Sequence, residues 1–157
     1  MRRKDREITD TQEMLDLIQQ CEIVHLGLFD GTKPYVLPLH FGWAWEDGRL
    51  RVYFHSAREG RKVDIIQAHP GCALTFVASS RVTQAETACG WSADIASVMA
   101  EGAVLLVTDE QERIKGLDAL MHHYGYPGKP EYAAGSLQST AVYCIEVERM
   151  TGKRKGA

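Results

Sequence analysis

Hydrophobic and polar positions alternate with a period of two along several short stretches of this chain, and most of these stretches end at a turn signal. Leu50, Val52 and Phe54 alternate with Arg51, Tyr53 and His55, the pattern of a half-buried strand. Glu22 to Phe29 and Tyr35 to Trp45 read as strands before it, joined by Asp30-Gly31, and Asp47-Gly48 closes a second tight hairpin. Pro38 has no backbone N–H, so its place in a strand is expected at an edge, at a bulge, or where a ligand takes over the pairing. Cys72 to Ala78 is apolar along most of its length and reads as a strand buried on both faces. Ile95 to Thr108 reads as a strand pair or one long bent strand with Gly102 at a bulge, and Thr140 to Val147 as the last strand.

Elsewhere the period changes to that of a helix. Asp10 or Thr11 can cap a short helix with Met14, Leu15 or Leu17, Ile18 and Cys21 on its apolar stripe. Ser56 followed by Glu59 has the spacing of a capping box, and Val63, Ile65 and Ile66 supply a stripe behind it. That helix is expected to stop near His69-Pro70-Gly71. Asp109 begins a third helix, reaching about Tyr124, with Ile114, Leu117, Leu120 and Met121 on one face. Residues 1–9 read as a polar arm, Ser79 to Ala93 as a long loop or a cover over a site, and the chain from Thr151 as a basic tail. The sum is a mainly β fold with peripheral helices. A six-stranded antiparallel sheet, closed or nearly closed into a barrel, fills one domain over 1–157.

Composition narrows the function classes. A formal net charge of −3 over 157 residues gives no general nucleic-acid surface. No apolar run approaches the ~20 residues a membrane helix needs. Arg2-Arg3-Lys4 is followed by Asp5, Glu7 and Asp10, which argues against a signal peptide and for a cytoplasmic protein. Cys21, Cys72, Cys89 and Cys144 form no C-x-x-C pair, so reduced thiols in or near the core are expected, and no metal site. His122 and His123 are adjacent on a helix and point ~100° apart, so they do not chelate one ion together. Hydrolase triads, P-loops and glycine-rich dinucleotide fingerprints are not found.

The candidate chemistry sits where the strand ending at His55 hands over to a helix. Arg58, Arg61 and Lys62 fall in the first two turns of the expected helix, where the dipole is positive and cations cost stability unless an anion is near. A phosphate is the economical anion, and Gly60 would let ligand or backbone approach closely. A capped surface helix with solvated basic residues is the bland alternative. His55 at this junction is the candidate proton donor or substrate-orienting group. Trp43 and Trp45 share one strand face, and either pack a core or dimer contact or wall a flat ligand.

In order along the chain, Pro34-Tyr35-Val36-Leu37-Pro38-Leu39, then Val52 to Ala57 with Gly60 and Lys62, then Cys89-Gly90-Trp91 and Ser97-Val98 before Gly102, resemble the pyridoxamine 5'-phosphate oxidase-like flavoproteins. Within them the chain is most similar to the Nim-type 5-nitroimidazole-resistance branch, over about residues 2–150. The resemblance implies a split β-barrel whose homodimer binds two FMN molecules at its interface. It implies that Tyr35 to His40, Pro38 included, lies along the isoalloxazine ring, with main-chain contacts from Val36, Leu37 and Leu39. His55 and Ser56 would lie by the ribityl chain and phosphate, Arg61 and Lys62 would grip the phosphate, and Ser97 with Val98 would contact the flavin. Trp91 could cap the ring from its loop. The expected activity is reduction of a small electrophile such as a nitro-aromatic compound, with NADH or NADPH as reductant. The rivals are a non-catalytic holder of FMN, haem or the deazaflavin F420, and a vitamin B6 oxidase, which would need substrate contacts from Arg149, Lys153, Arg154 or Lys155.

Overall fold

The computed structural model describes residues 3–155 of the chain. Its elements are β1 (Glu7–Ile8), α1 (Thr11–Gln19), β2 (Val24–Phe29), β3 (Pro34–Leu39), β4 (Gly42–Glu46), β5 (Arg49–Ser56), α2 (Arg61–Ala68), β6 (Gly71–Thr83), β7 (Ser92–Leu106), α3 (Glu110–His123), α4 (Ala134–Ser139) and β8 (Ala141–Lys155). Every pairing is antiparallel, in the order β3-β2-β6-β7-β8-β5-β4, with β1 added on β8. β3 and β4 end this order without pairing each other, so the sheet is curled but open, as in a split barrel. No helix among the described residues is long and apolar enough to cross a membrane.

Local chemistry explains the tight connections. The Asp30 carboxylate accepts from the Thr32 and Lys33 amides and the Thr32 hydroxyl, and the Asp30 amide donates to the Lys33 carbonyl, closing the β2–β3 hairpin. Asp47 and Gly48 both have positive φ, 51° and 75°, the backbone that a two-residue hairpin with the sheet's twist requires. Asp10 caps α1 through the Glu13 amide, and Asp109 caps α3 through the Glu112 amide. The stripe of α1 is buried at Met14, Leu15, Leu17 and Ile18 and joins Leu26, Phe41, Val52, Phe54, Leu74, Phe76, Val98 and Ile145 in one core.

Several expectations change. Tyr35 to Trp45 is two strands, because the chain leaves the sheet at His40-Phe41. Both ends of the described chain join the sheet: Glu7–Ile8 is an added strand that pairs with Gly152 and Lys153, and the expected basic tail is the last third of β8, laddered to β7 as far as Lys155. Residues 1 and 2 of the expected arm and 156 and 157 of the expected tail lie outside the described residues. Most of the expected loop from Ser79 is strand, since β6 and β7 pair out to Thr83↔Ser92. Cys72 to Ala78 is not buried on both faces. Leu74 and Phe76 face the core while Ala73 and Val77 face out. Gly102 does lie at a bulge, where β8 carries the extra residue Glu148 between the pairs Glu101↔Arg149 and Gly102↔Val147.

α3 crosses β4 and β5 at very close range. A Cβ on Gly42 would lie 2.2 Å from the Leu120 backbone nitrogen, and one on Gly116 would lie 2.7 Å from the Tyr53 ring. Polar links run along the same contact. The Tyr53 hydroxyl donates to Glu112 (2.7 Å), Lys115 bonds Glu46 (2.6 Å), and Arg51 bonds Glu46 (3.0 Å). Tyr53 therefore faces α3, on the side of its sheet opposite Trp43 and Trp45, which pair with Val52 and Leu50. Trp43 packs on the core and donates to Gln19, while Trp45 is exposed.

Candidate functional site

The corner between β5 and α2 is built from three segments: the end of β5, the start of α2 and the β2–β3 hairpin. Ser56 is still strand, paired with Ala141, and its hydroxyl donates to the Ala57 carbonyl instead of capping a helix. α2 begins at Arg61, five residues later than Ser56, and Gly60 is its cap residue. Gly60 has φ 125° and ψ 165°, a backbone open essentially to glycine alone. Its carbonyl accepts from Val63 and Asp64, and no side chain caps the helix. The first amides of α2 therefore point from a positive helix end with Arg61 and Lys62 beside them, while Arg58 stays in the preceding loop.

The two cations are held differently. Arg61 bonds the Asp30 carboxylate (3.2 Å) and lies over the Tyr35 ring at 4.5 Å. Thr32 and the turn amides hold Asp30 well below the usual carboxylate range, so it stays charged at any ordinary pH. Lys62 is half-buried over the Phe54 ring at 5.4 Å, and no carboxylate pairs with it among the described residues. Burial pushes its ammonium below the usual lysine value, which an arriving anion would reverse. Asp30, expected only in the turn, and Tyr35, expected along the flavin ring, are thus the scaffold of Arg61. The Asp30-Gly31 signal located the turn, but nothing local pointed from it to Arg61.

His55 carries a neutral imidazole more readily than a free histidine, first because it is desolvated, then because Lys62 and His40 lie near. It borders an apolar cavity of about 180 Å³ between α3 and α4, walled by Leu117, Leu120, Met121 and Leu137. His40 follows β3 and bonds the Tyr124 hydroxyl through Nδ1. Lys62 and His40 thus both lie within electrostatic reach of His55, while Arg61 is held at the hairpin end of β3.

β3 supplies an open edge. Pairing of Asp30 with Lys33 fixes the ladder phase, so Tyr35, Leu37 and Leu39 turn their main-chain groups to β2. Pro34, Val36 and Pro38 turn theirs outward. Prolines cannot donate, which leaves the Val36 amide as the free donor on the outer edge of this strand. Leu37 and Leu39 pack on the core, whereas the Val36 side chain is 62% exposed.

The remaining candidates belong to the β6–β7 arm. Trp91 is half-exposed and its indole donates to the Ala85 carbonyl (2.8 Å). Ser97 pairs with Val77 and Lys153 and faces outward beside exposed Met99, while Val98 is fully buried in the core. Within one chain these three are not part of the β5–α2 corner. Of the C-terminal basic residues, Arg149 bonds Glu101, Arg154 bonds Glu13 and Lys155 bonds Ser92. His122 and His123 bond different carbonyls, those of Gly128 and Cys21.

His123 gives a pH signature. Its Nδ1 is buried with no partner, and burial holds the imidazole below its ordinary pKa despite the Cys21 carbonyl. The folded protein then binds fewer protons than the unfolded chain, whose histidine titrates near ~6.5. Its contribution to stability is complete above that value and is lost as pH falls below it. Urea midpoints measured from pH 7.5 down to 5.5 should fall, and His123→Phe should flatten that slope. A slope unchanged by the substitution would assign it to another group.

Comparison with known proteins follows this geometry. The pyridoxamine 5'-phosphate oxidase family matches residues 10–154. A candidate 5-nitroimidazole antibiotic resistance protein from Bacteroides thetaiotaomicron superposes with a TM-score of 0.82 at 29% identity, over 94% of this chain and 86% of that one. Flavocytochrome Anf3 from Azotobacter vinelandii gives 0.81 at 22% identity, over 100% of this chain and 72% of that one. An FAD and heme binding protein from Mycobacterium smegmatis gives 0.83 at 16% identity, over 97% and 74%. The last two likenesses concern the fold alone. No match is found among curated proteins. With nearly its whole length matched, the chain belongs to the pyridoxamine 5'-phosphate oxidase family.

Proposed function

We propose that this protein binds FMN and is an FMN-dependent oxidoreductase for small electrophiles, nitro-aromatic rings being the leading class. The observation that carries the reading is the α2 corner: a helix start without a side-chain cap, with Lys62 free of any carboxylate among the described residues and Arg61 beside it. A phosphate dianion fits those donors and charges. The outer edge of β3, with its single free amide at Val36, suits the rim of a flat ring. Bound flavin supplies the electron transfer chemistry. His55 orients the acceptor or passes it a proton, and the apolar cavity beside it matches a ring of few heavy atoms. NADH or NADPH is the proposed reductant. The similarity to the Bacteroides protein supports the nitro-aromatic class.

Purified protein, titrated with FMN and then supplied with NADH or NADPH and a nitro-aromatic acceptor, tests this. Binding with turnover is the expected result. Binding without turnover of any acceptor would make the protein a flavin holder, and failure to take up FMN would end the proposal.

A homodimer is proposed with it. The outer face of the sheet carries Val36 and Met99, 62% and 60% exposed, with Phe29 and Val77 on the same face. Such an apolar face calls for a partner, and a second copy would bring the β6–β7 arm of one chain to the corner of the other. Met99→Glu should therefore lower both the hydrodynamic mass and FMN retention. A mass near one chain for the FMN-bound wild type would refute the dimer.

A further inference from the structure

The Tyr124 hydroxyl sits among three groups. It lies 2.5 Å from the Glu22 carbonyl oxygen, 3.2 Å from the Phe41 amide nitrogen and 3.1 Å from His40 Nδ1. Only one proton is available on that oxygen. The Glu22 carbonyl can only accept, and at 2.5 Å two oxygens without a proton between them would repel, so Tyr124 donates there. The Phe41 amide can only donate, so it donates to Tyr124. The remaining lone pair of Tyr124 then faces His40, which must donate through Nδ1–H. A neutral imidazole with its proton on Nδ1 has a bare lone pair on Nε2.

His40 is exposed at the end of β3, and its ring is packed edge-on against Tyr124 at 5.3 Å. The β4–β5 ladder ends at Gly42↔Tyr53, with His40 two residues before the start of β4 and His55 two residues beyond Tyr53 on β5. His40 also contributes to holding His55 neutral. His40 thus lies within electrostatic reach of His55, with its tautomer fixed by Tyr124.

We propose that Tyr124 is a positioning residue that holds His40 as the Nδ1–H tautomer, making His40 Nε2 the acceptor for the imide N–H of the flavin ring. The ligand half rests on the flavin reading above. The oxidised isoalloxazine ring carries a single N–H at its edge, the imide. An acceptor-only imidazole can therefore bond the ring edge in one way, whereas the Nε2–H tautomer would have to seek a ring carbonyl or nitrogen. Tyr124, more than eighty residues from His40 in sequence, would in this way set which edge of the ring the site accepts.

Nitrogen-15 NMR of the full-length, flavin-free chain tests the tautomer without reference to any ligand. His40 is expected to show a protonated Nδ1 and a bare Nε2, and Tyr124→Phe is expected to shift it toward the Nε2–H form. A wild-type His40 protonated on Nε2 overturns the proposal even if the variant does not fold. For the ligand half, FMN is compared with its N3-methyl analogue. Methylation should weaken binding about tenfold in the wild type, the scale of one lost hydrogen bond, and should make no difference in His40→Phe. Equal binding of both flavins by the wild type overturns the imide contact while leaving the flavin reading intact. Absence of binding by either flavin overturns the flavin reading and the imide contact together, and the tautomer is still decided by the spectrum.

Discussion

Replacing Arg61 and Lys62 together by alanine is expected to weaken FMN retention by at least ~1–3 kcal/mol, the range for charge-assisted hydrogen bonds. Lys62 is expected to dominate. Its ammonium is half-buried without a carboxylate among the described residues, so it gains both an opposite charge and a restored pKa when phosphate arrives. Arg61 already has Asp30, and a ligand must share or replace that contact. The single variants should therefore rank Lys62→Ala above Arg61→Ala, and raising the salt concentration should weaken the wild type more than the double variant. Equilibrium titration with FMN, and with riboflavin as the form lacking phosphate, measures this. Riboflavin should be indifferent to both substitutions. An unchanged FMN affinity in the double variant would move the phosphate away from α2.

The second large effect concerns stability. Gly42→Ala should cost about 3 kcal/mol, the upper end for forcing atoms into a packed contact, and lower Tm by roughly 10 °C. The new Cβ would meet backbone of α3 at Ala119 and Leu120, which cannot move aside without shifting the helix. Gly116→Ala should cost less, because its obstacle is the Tyr53 side chain, although that ring is buried and its hydroxyl is bonded to Glu112. Calorimetry of the two variants gives the ranking. Equal, small losses would mean that α3 rides more loosely on β4 and β5 than this packing implies. A displaced α3 also displaces Tyr124, Leu117 and Met121, so Gly42→Ala should impair the His55 side of the corner along with the fold.

The legible parts of the fold were those written locally. The two hairpins followed from Asp-Gly pairs, the starts of α1 and α3 from Asp10 and Asp109, and the bulge from Gly102 within an alternating strand. The start of α2 was misplaced because Ser56-x-x-Glu59 satisfies a capping pattern while Ser56 is tied to Ala141, eighty-five residues away in sequence. The true cap, Gly60, depends on a backbone angle that its neighbours do not announce. The ends of the chain looked like solvated tails because Lys153, Arg154 and Lys155 are basic. They are strand because β7 runs on far enough to pair with them, and Gly152 lets Ile8 and Met14 close over it. The candidate site was half legible. The basic pair and His55 lie within eight residues of one another, whereas Asp30, Tyr35 and Tyr124 join the corner only through tertiary contacts that no short-range pattern encodes.

The prolines of β3 carry a further meaning for the life of the protein in a crowded solution. A bare strand at the rim of a sheet invites strands of other molecules to add on, and long arrays grow from such additions. Pro34 and Pro38 delete two of the three outward donors that an incoming chain would need, so this border resists polymerisation with only the Val36 amide left to donate.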